Sequence, residues 1–133
     1  MTYEDWVRQV PDSIRIDPLW AFQVYPKALF LSDLAWEDSG KMLKDARGRK
    51  IADQLIDSAG SVSANIEEGF GRGFGKDYAR FLSISLGSAR ECRGWYYRGR
   101  RLLSDNVLRH RYRLLDEIIA LLTTHIQKQR KHK

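Results

Sequence analysis

The chain has 133 residues, of which 43% are hydrophobic and 30% charged, with three prolines and a single cysteine. That length suits one domain with a real core, the apolar fraction excludes a disordered chain, and one thiol excludes an internal disulfide. Charge is unevenly placed: residues 1–46 carry five Lys/Arg against eight Asp/Glu, and residues 47–133 carry eighteen against nine.

In chain order, residues 1–17 read as an N-terminal arm, in which Thr2 caps a short helix over Tyr3–Val10 that Pro11 closes. Asp17-Pro18 is a helix start, with Asp as N-cap and Pro at the first helical position. Leu19–Leu43 is helical in pattern, but Pro26 lies inside it and predicts a kink or break. A second helix is expected over Arg49–Glu68. Ile51, Leu55, Ser58/Ala59, Val62 and Ile66 recur every three to four residues as a buried stripe. The small residues Ala59, Gly60, Ser61 and Ala64 let another helix approach. The run from Gly69 through Gly71 and Gly73 to Gly75 predicts a stop, with glycine supplying left-handed caps and turns.

A third helix is expected over Lys76–Leu103. At 100° per residue, Tyr78, Phe81, Ser85, Ser88, Ala89, Cys92, Tyr96, Gly99 and Leu103 share one face. Arg80, Arg90, Tyr97, Arg98 and Arg101 share the opposite one, with Arg93 and Arg100 at the edge. Ser104-Asp105-Asn106 reads as a turn and cap. The last helix, Val107–Lys128, buries Leu108, Tyr112, Leu115, Ile119, Leu122 and Ile126, and residues 129–133 form a basic tail expected to fray. Nothing reads as a strand. The expected fold class is all-α, an up-and-down four-helix bundle over residues 18–128.

Arg90–Arg113 holds eight arginines against Glu91 and Asp105, interleaved with Trp95, Tyr96, Tyr97 and Tyr112. That is the footprint of a nucleic-acid partner, although many basic helix faces are only solvated. The candidate contacts are Arg80, Arg90, Arg93, Tyr97, Arg98, Arg100, Arg101, Arg109 and Arg113.

Catalytic chemistry is not expected. The glycine loop has Phe74 where a dinucleotide fingerprint needs its third glycine, and it lacks the Lys-Ser/Thr of a P-loop. His110, His125 and His132 form no Glu-x-x-His pair, so no metal is expected, and no cofactor. Cys92 sits on the apolar face as a core residue. Ser58, Ser61, Ser63, Ser85 and Ser88 come without a nucleophile elbow. Glu67 and Glu68 point about 100° apart, a poor acid/base pair. No charged start precedes an apolar run, and no apolar stretch nears the roughly 20 residues of a bilayer span. A cytoplasmic protein without a membrane partner is expected.

At Ser61-Val62-Ser63-Ala64-Asn65-Ile66-Glu67-Glu68-Gly69-Phe70-Gly71-Arg72 the chain resembles the 23S rRNA intervening-sequence (S23-like) family of four-helix bundles, whose pattern is roughly S-I-x-x-N-I-A-E-G-x-G-R. The family's next signature, F-x-R-F-L-x-I-A-x-G-S-x-x-E, is matched by Tyr78-Ala79-Arg80-Phe81-Leu82-Ser83-Ile84-Ser85-Leu86-Gly87-Ser88-Ala89-Arg90-Glu91. Gln54-Leu55 matches an upstream Q-L. The resemblance is close over Ile51–Glu91. Glu67 departs from the usual Ala, Asp57 stands where a basic residue is common, and Cys92–Arg101 is more basic and aromatic than the family's usual helix. The resemblance implies a homo-oligomer, commonly a closed pentameric ring, with no known enzymatic activity. A related branch comprises accessory proteins of diversity-generating retroelements, which bind a reverse transcriptase and its template RNA.

Asn65, Glu68, Gly69, Gly71 and Arg72 form a structural motif at a helix end, where backbone groups lack partners. An Asn–Glu–Arg cluster there would pin the glycine loop; alternatively, the three line a binding site. The expected function is a non-enzymatic, oligomeric nucleic-acid-binding accessory protein, with RNA or DNA held electrostatically and a reverse transcriptase as a further partner. The alternative is an oligomeric protein–protein scaffold without nucleic acid.

Overall fold

The structure, a computed structural model, describes residues 1–73 and 75–131. Phe74 and the last two residues of the predicted tail, His132 and Lys133, lie outside the described residues. Thr2 Oγ1 accepts from the Asp5 amide at 3.1 Å and starts α1 (Tyr3–Gln9). A single turn, α2 (Asp12–Arg15), follows Pro11.

Asp17 caps as the sequence requires, accepting from the Leu19 amide at 2.9 Å, but what it caps is a 3-10 turn over Pro18–Ala21. The long helix α3 (Val24–Met42) begins only afterwards. Pro26 is therefore its third residue, where an amide has no intrahelical acceptor. The carbonyl of Phe22, four residues back, accepts from Tyr25 N at 2.8 Å instead. The expected mid-helix kink is corrected: Pro26 opens a helix.

Three more long helices follow, α4 (Gly48–Phe70), α5 (Lys76–Arg98) and α6 (Asp105–Lys131), with a 3-10 turn over Arg100–Leu102. Each packs on its chain neighbour and α6 returns to α3, so α3 and α5 stand diagonally across an up-and-down bundle. Leu31, Leu55, Leu82, Leu115, Ile118 and Leu122 are fully buried between them. Leu82 was absent from the face read off the wheel, and Phe81, included there, is only half-buried. On α6, Leu114 and Ile118 join the buried face, and Tyr112 and Ile119 lie at its edge. The basic tail stays helical to Lys131 instead of fraying at Lys128.

The glycine run works differently from its expected role. Gly69 belongs to α4 and is buried; a Cβ there would lie 2.8 Å from Phe81 Cβ and 3.0 Å from Tyr78 Cδ1. Its purpose is close approach of α4 to α5, and Gly71 has φ −66°, so neither is a left-handed cap. The left-handed positions are Gly73 and Gly75, at φ +93° and +89°.

A polar lock crosses the core. Asp38 on α3 is fully buried and accepts from Tyr96 Oη at 2.7 Å, Arg111 Nε at 2.7 Å and Arg111 Nη2 at 3.1 Å. The paired geometry offsets the desolvation of both charges. Burial and the neighbouring Asp38 carboxylate push the Tyr96 hydroxyl well above its ordinary value, keeping it a donor.

Candidate nucleic-acid interface

Gly99 ends α5 and divides the predicted arginine face. Arg90, Arg93 and Arg98 are placed by α5, whereas Arg100 and Arg101 belong to the 3-10 turn beyond it, so one continuous wheel over all five is corrected. An open groove of about 770 Å³ between α5 and α6 is lined by Arg90, Arg93, Tyr97, Arg98, Tyr112 and Asp116. Tyr97, at 57% exposure, presents its ring there. Arg93 Nη1 is held by Asp116 Oδ1 at 2.9 Å. Among the described residues Arg90, Arg98 and Arg101 have no carboxylate partner within 4 Å.

Cations and rings are interleaved along this end of the bundle. The Arg98 guanidinium stands 4.7 Å over the Trp95 ring, and Arg100 stands 4.2 Å over the Tyr97 ring while donating to the Tyr97 carbonyl at 3.0 Å. Arg98 and Arg101 also line a second hollow at the bundle end, with Asp45 and Arg47. The remaining predicted contacts are not gathered here. Arg80, at the other end of α5, pairs with Asp77 at 3.2 Å and covers Phe81 at 4.4 Å. Arg113 lines the cleft between α3 and α6, with Lys27 and Glu117, and Arg109 is engaged by Asn106 Oδ1.

The expected Asn–Glu–Arg cluster does not form as one network. Asn65 Nδ2 donates to Ser61 O at 2.8 Å and Ser61 Oγ at 2.9 Å, and Ser61 Oγ meets Ser88 Oγ of α5 at 2.8 Å. Glu68 and Arg72 pair separately at 2.9 Å on the surface. The Arg72 guanidinium lies 5.2 Å over the Phe81 ring, so it does reach across the loop to α5. The departure at Glu67 has its own partner: Tyr25 Oη donates to Glu67 Oε2 at 2.7 Å, tying α3 to α4.

Sequence reasoning missed the pair Asp38 and Arg111. Its signal was present: Arg111 follows Leu108 by three residues and precedes Leu115 by four, and Asp38 lies four residues from both Leu34 and Met42. A charge of each sign interrupting an apolar stripe marks a buried pair. Cys92 is buried in the core, where desolvation pushes its thiol up to about 12, a value that leaves it protonated and unreactive. Among the described residues no group of three or more His, Cys, Asp or Glu could hold a metal ion, and no helix is long and apolar enough to cross a membrane.

No curated protein matches the chain. A crystal structure of a protein of unknown function from the S23 ribosomal protein family of Bacteroides thetaiotaomicron is similar in fold, with a TM-score of 0.73 at 22% identity. The match covers 78% of this chain and 98% of that one. The pattern of the 23S rRNA-intervening sequence proteins matches residues 21–124, from the end of the first 3-10 turn to the last turns of α6. The chain is therefore a member of the 23S rRNA-intervening sequence protein family.

Proposed function

We propose that the chain is a non-enzymatic nucleic-acid-binding accessory protein whose contact surface is the α5/α6 groove and the bundle end beside it. The carrying observation is the groove itself, where Arg90 and Arg98 flank Tyr97 and face Tyr112 across about 770 Å³. Guanidinium groups neutralise phosphates and release counterions, and an exposed ring stacks on an unpaired base. Arg100 already covers one face of Tyr97, which leaves the other for a base. Repetition of the groove in a closed homo-oligomer, five copies on the family resemblance, would multiply modest contacts per subunit. A reverse transcriptase and its template RNA are the proposed partners on the same resemblance.

A salt titration on single-stranded RNA and on duplex DNA tests the reading. Changing Arg90, Arg98 and Arg101 to Gln should weaken binding and lower the log–log salt slope on single strands by about 2, at roughly 0.7 per lost phosphate contact. Equal slopes for the two proteins would return the scaffold reading. A native mass of one chain at micromolar concentration would remove the ring.

A further inference from the structure

A second concavity, between α1 and α3, plays no part in that function. It is a half-open hollow of about 220 Å³, against the roughly 150 Å³ of a closed apolar cavity that admits benzene. Two chemistries meet in its walls. Trp6, Phe30 and Trp36 supply aromatic surface, and Asp33 and Glu37 supply carboxylates. They converge because α3 spaces Asp33, Trp36 and Glu37 three and four residues apart, on one helical face. The arm brings Trp6 across from them, with its Nε1 donating to Asp33 Oδ2 at 2.7 Å.

The pocket is built more than packing requires. Trp6 and Phe30 are buried, but Trp36 stands 72% exposed, leaving its indole largely in water. Glu37 has no ion-pair partner among the described residues. Arg111, a cation in the wall, is held on two sides by Asp38, and Met1, which also lines the wall, stands 67% exposed, so the charges that α3 itself sets around the space are those of Asp33 and Glu37. Aromatic faces attract cations, and carboxylates take short, charge-assisted hydrogen bonds from guanidinium and ammonium groups. An anion would meet only repulsion from the two carboxylates.

We propose that this pocket binds the guanidinium or ammonium group of a basic side chain presented by another polypeptide. Arginine fits better than lysine, because a planar guanidinium stacks on the indole while its N–H groups reach a carboxylate. No α5 residue lines the pocket, so the assignment stands independently of the nucleic-acid reading.

The test is calorimetric titration of the full chain with hexa-arginine, hexa-lysine and hexa-glutamate peptides. The net charge of +6 repels a basic peptide from the molecule as a whole, so saturable binding of hexa-arginine reports a local site. Binding should be tighter for hexa-arginine than for hexa-lysine and absent for hexa-glutamate. Trp36→Ala and Glu37→Gln should each weaken it at least tenfold with the melting temperature retained, while Arg90→Gln leaves it no weaker. Native mass identifies the natural donor. A mass that falls on adding hexa-arginine, and falls likewise in Glu37→Gln, means the arginine comes from a second copy; an unchanged mass with saturable binding means it comes from a different protein. No binding and no change of mass, or an affinity in Trp36→Ala and Glu37→Gln equal to that of the unaltered chain, would overturn the proposal.

Discussion

Asp38→Ala is the most demanding test of how the bundle is held together. The carboxylate is fully buried and accepts three hydrogen bonds, two from Arg111 and one from Tyr96. Removing it leaves a guanidinium whose side chain is only 10% exposed, together with a buried hydroxyl. Breaking a buried pair from one side costs about 3–5 kcal/mol, against the roughly 5–15 kcal/mol that holds a typical domain. At about 3–5 °C per kcal/mol for a chain of this size, the melting temperature should fall by roughly 10–20 °C. Replacing all three partners with apolar residues of similar volume, as Asp38→Leu, Tyr96→Phe and Arg111→Met together, should recover most of the loss. Urea unfolding followed by circular dichroism at fixed protein concentration measures both variants, with the m-value confirming that one transition is compared. A loss below about 1 kcal/mol for the single variant would show that the lock adds nothing to stability, and the reasoning would fail.

Three further outcomes are expected. Gly69→Ala should destabilise by about 1–3 kcal/mol despite alanine's better helix propensity, because the new methyl meets Phe81 Cβ at 2.8 Å; an unchanged urea midpoint would contradict this. Asn65→Ala should cost about 1 kcal/mol through the Ser61–Ser88 link, whereas Arg72→Ala, on the surface, should leave the melting curve in place; the same melting experiment decides both. Burial raises the Cys92 thiol from its ordinary 9.0 to about 12, so between these values the unfolded chain binds fewer protons than the folded one. Stability should therefore be intact below pH 9 and fall as pH rises toward 12, and thiol labelling at pH 8 should proceed only as fast as the protein unfolds.

The helices were legible wherever apolar residues recur with a 3.6-residue period. The stripe from Leu55 through Val62 to Ile66 is buried as read, because nothing in it competes with helix formation. Boundaries failed where one residue type serves two purposes. Pro26 reads equally as a kink and as a first-turn residue, and only Asp17 capping a separate 3-10 turn decides between them. Gly69 reads as a stop, but its small size is used against Phe81 and Tyr78 inside a continuing helix. Likewise the wheel placed Arg80, Arg90, Arg98 and Arg101 on one face with Arg93 and Arg100 at its edge, yet it could not foresee that α5 ends at Arg98, which separates Arg100 and Arg101 from it. The aromatic–acidic pocket lay beyond the sequence altogether, since it needs Trp6 of the arm set against Asp33, 27 residues away.

The Asp38–Arg111 lock also bears on the order of folding, because its partners lie 73 residues apart. Every other seam of the bundle joins helices adjacent in the chain, with α4 and α5 separated by five residues, so those pairs form through short loop closures. Bringing α6 back to α3 requires the longest closure, and only then does Asp38 leave water for its partners. The lock therefore rewards completion of the bundle rather than its initiation. Weakening it should speed unfolding while leaving the refolding rate almost unchanged.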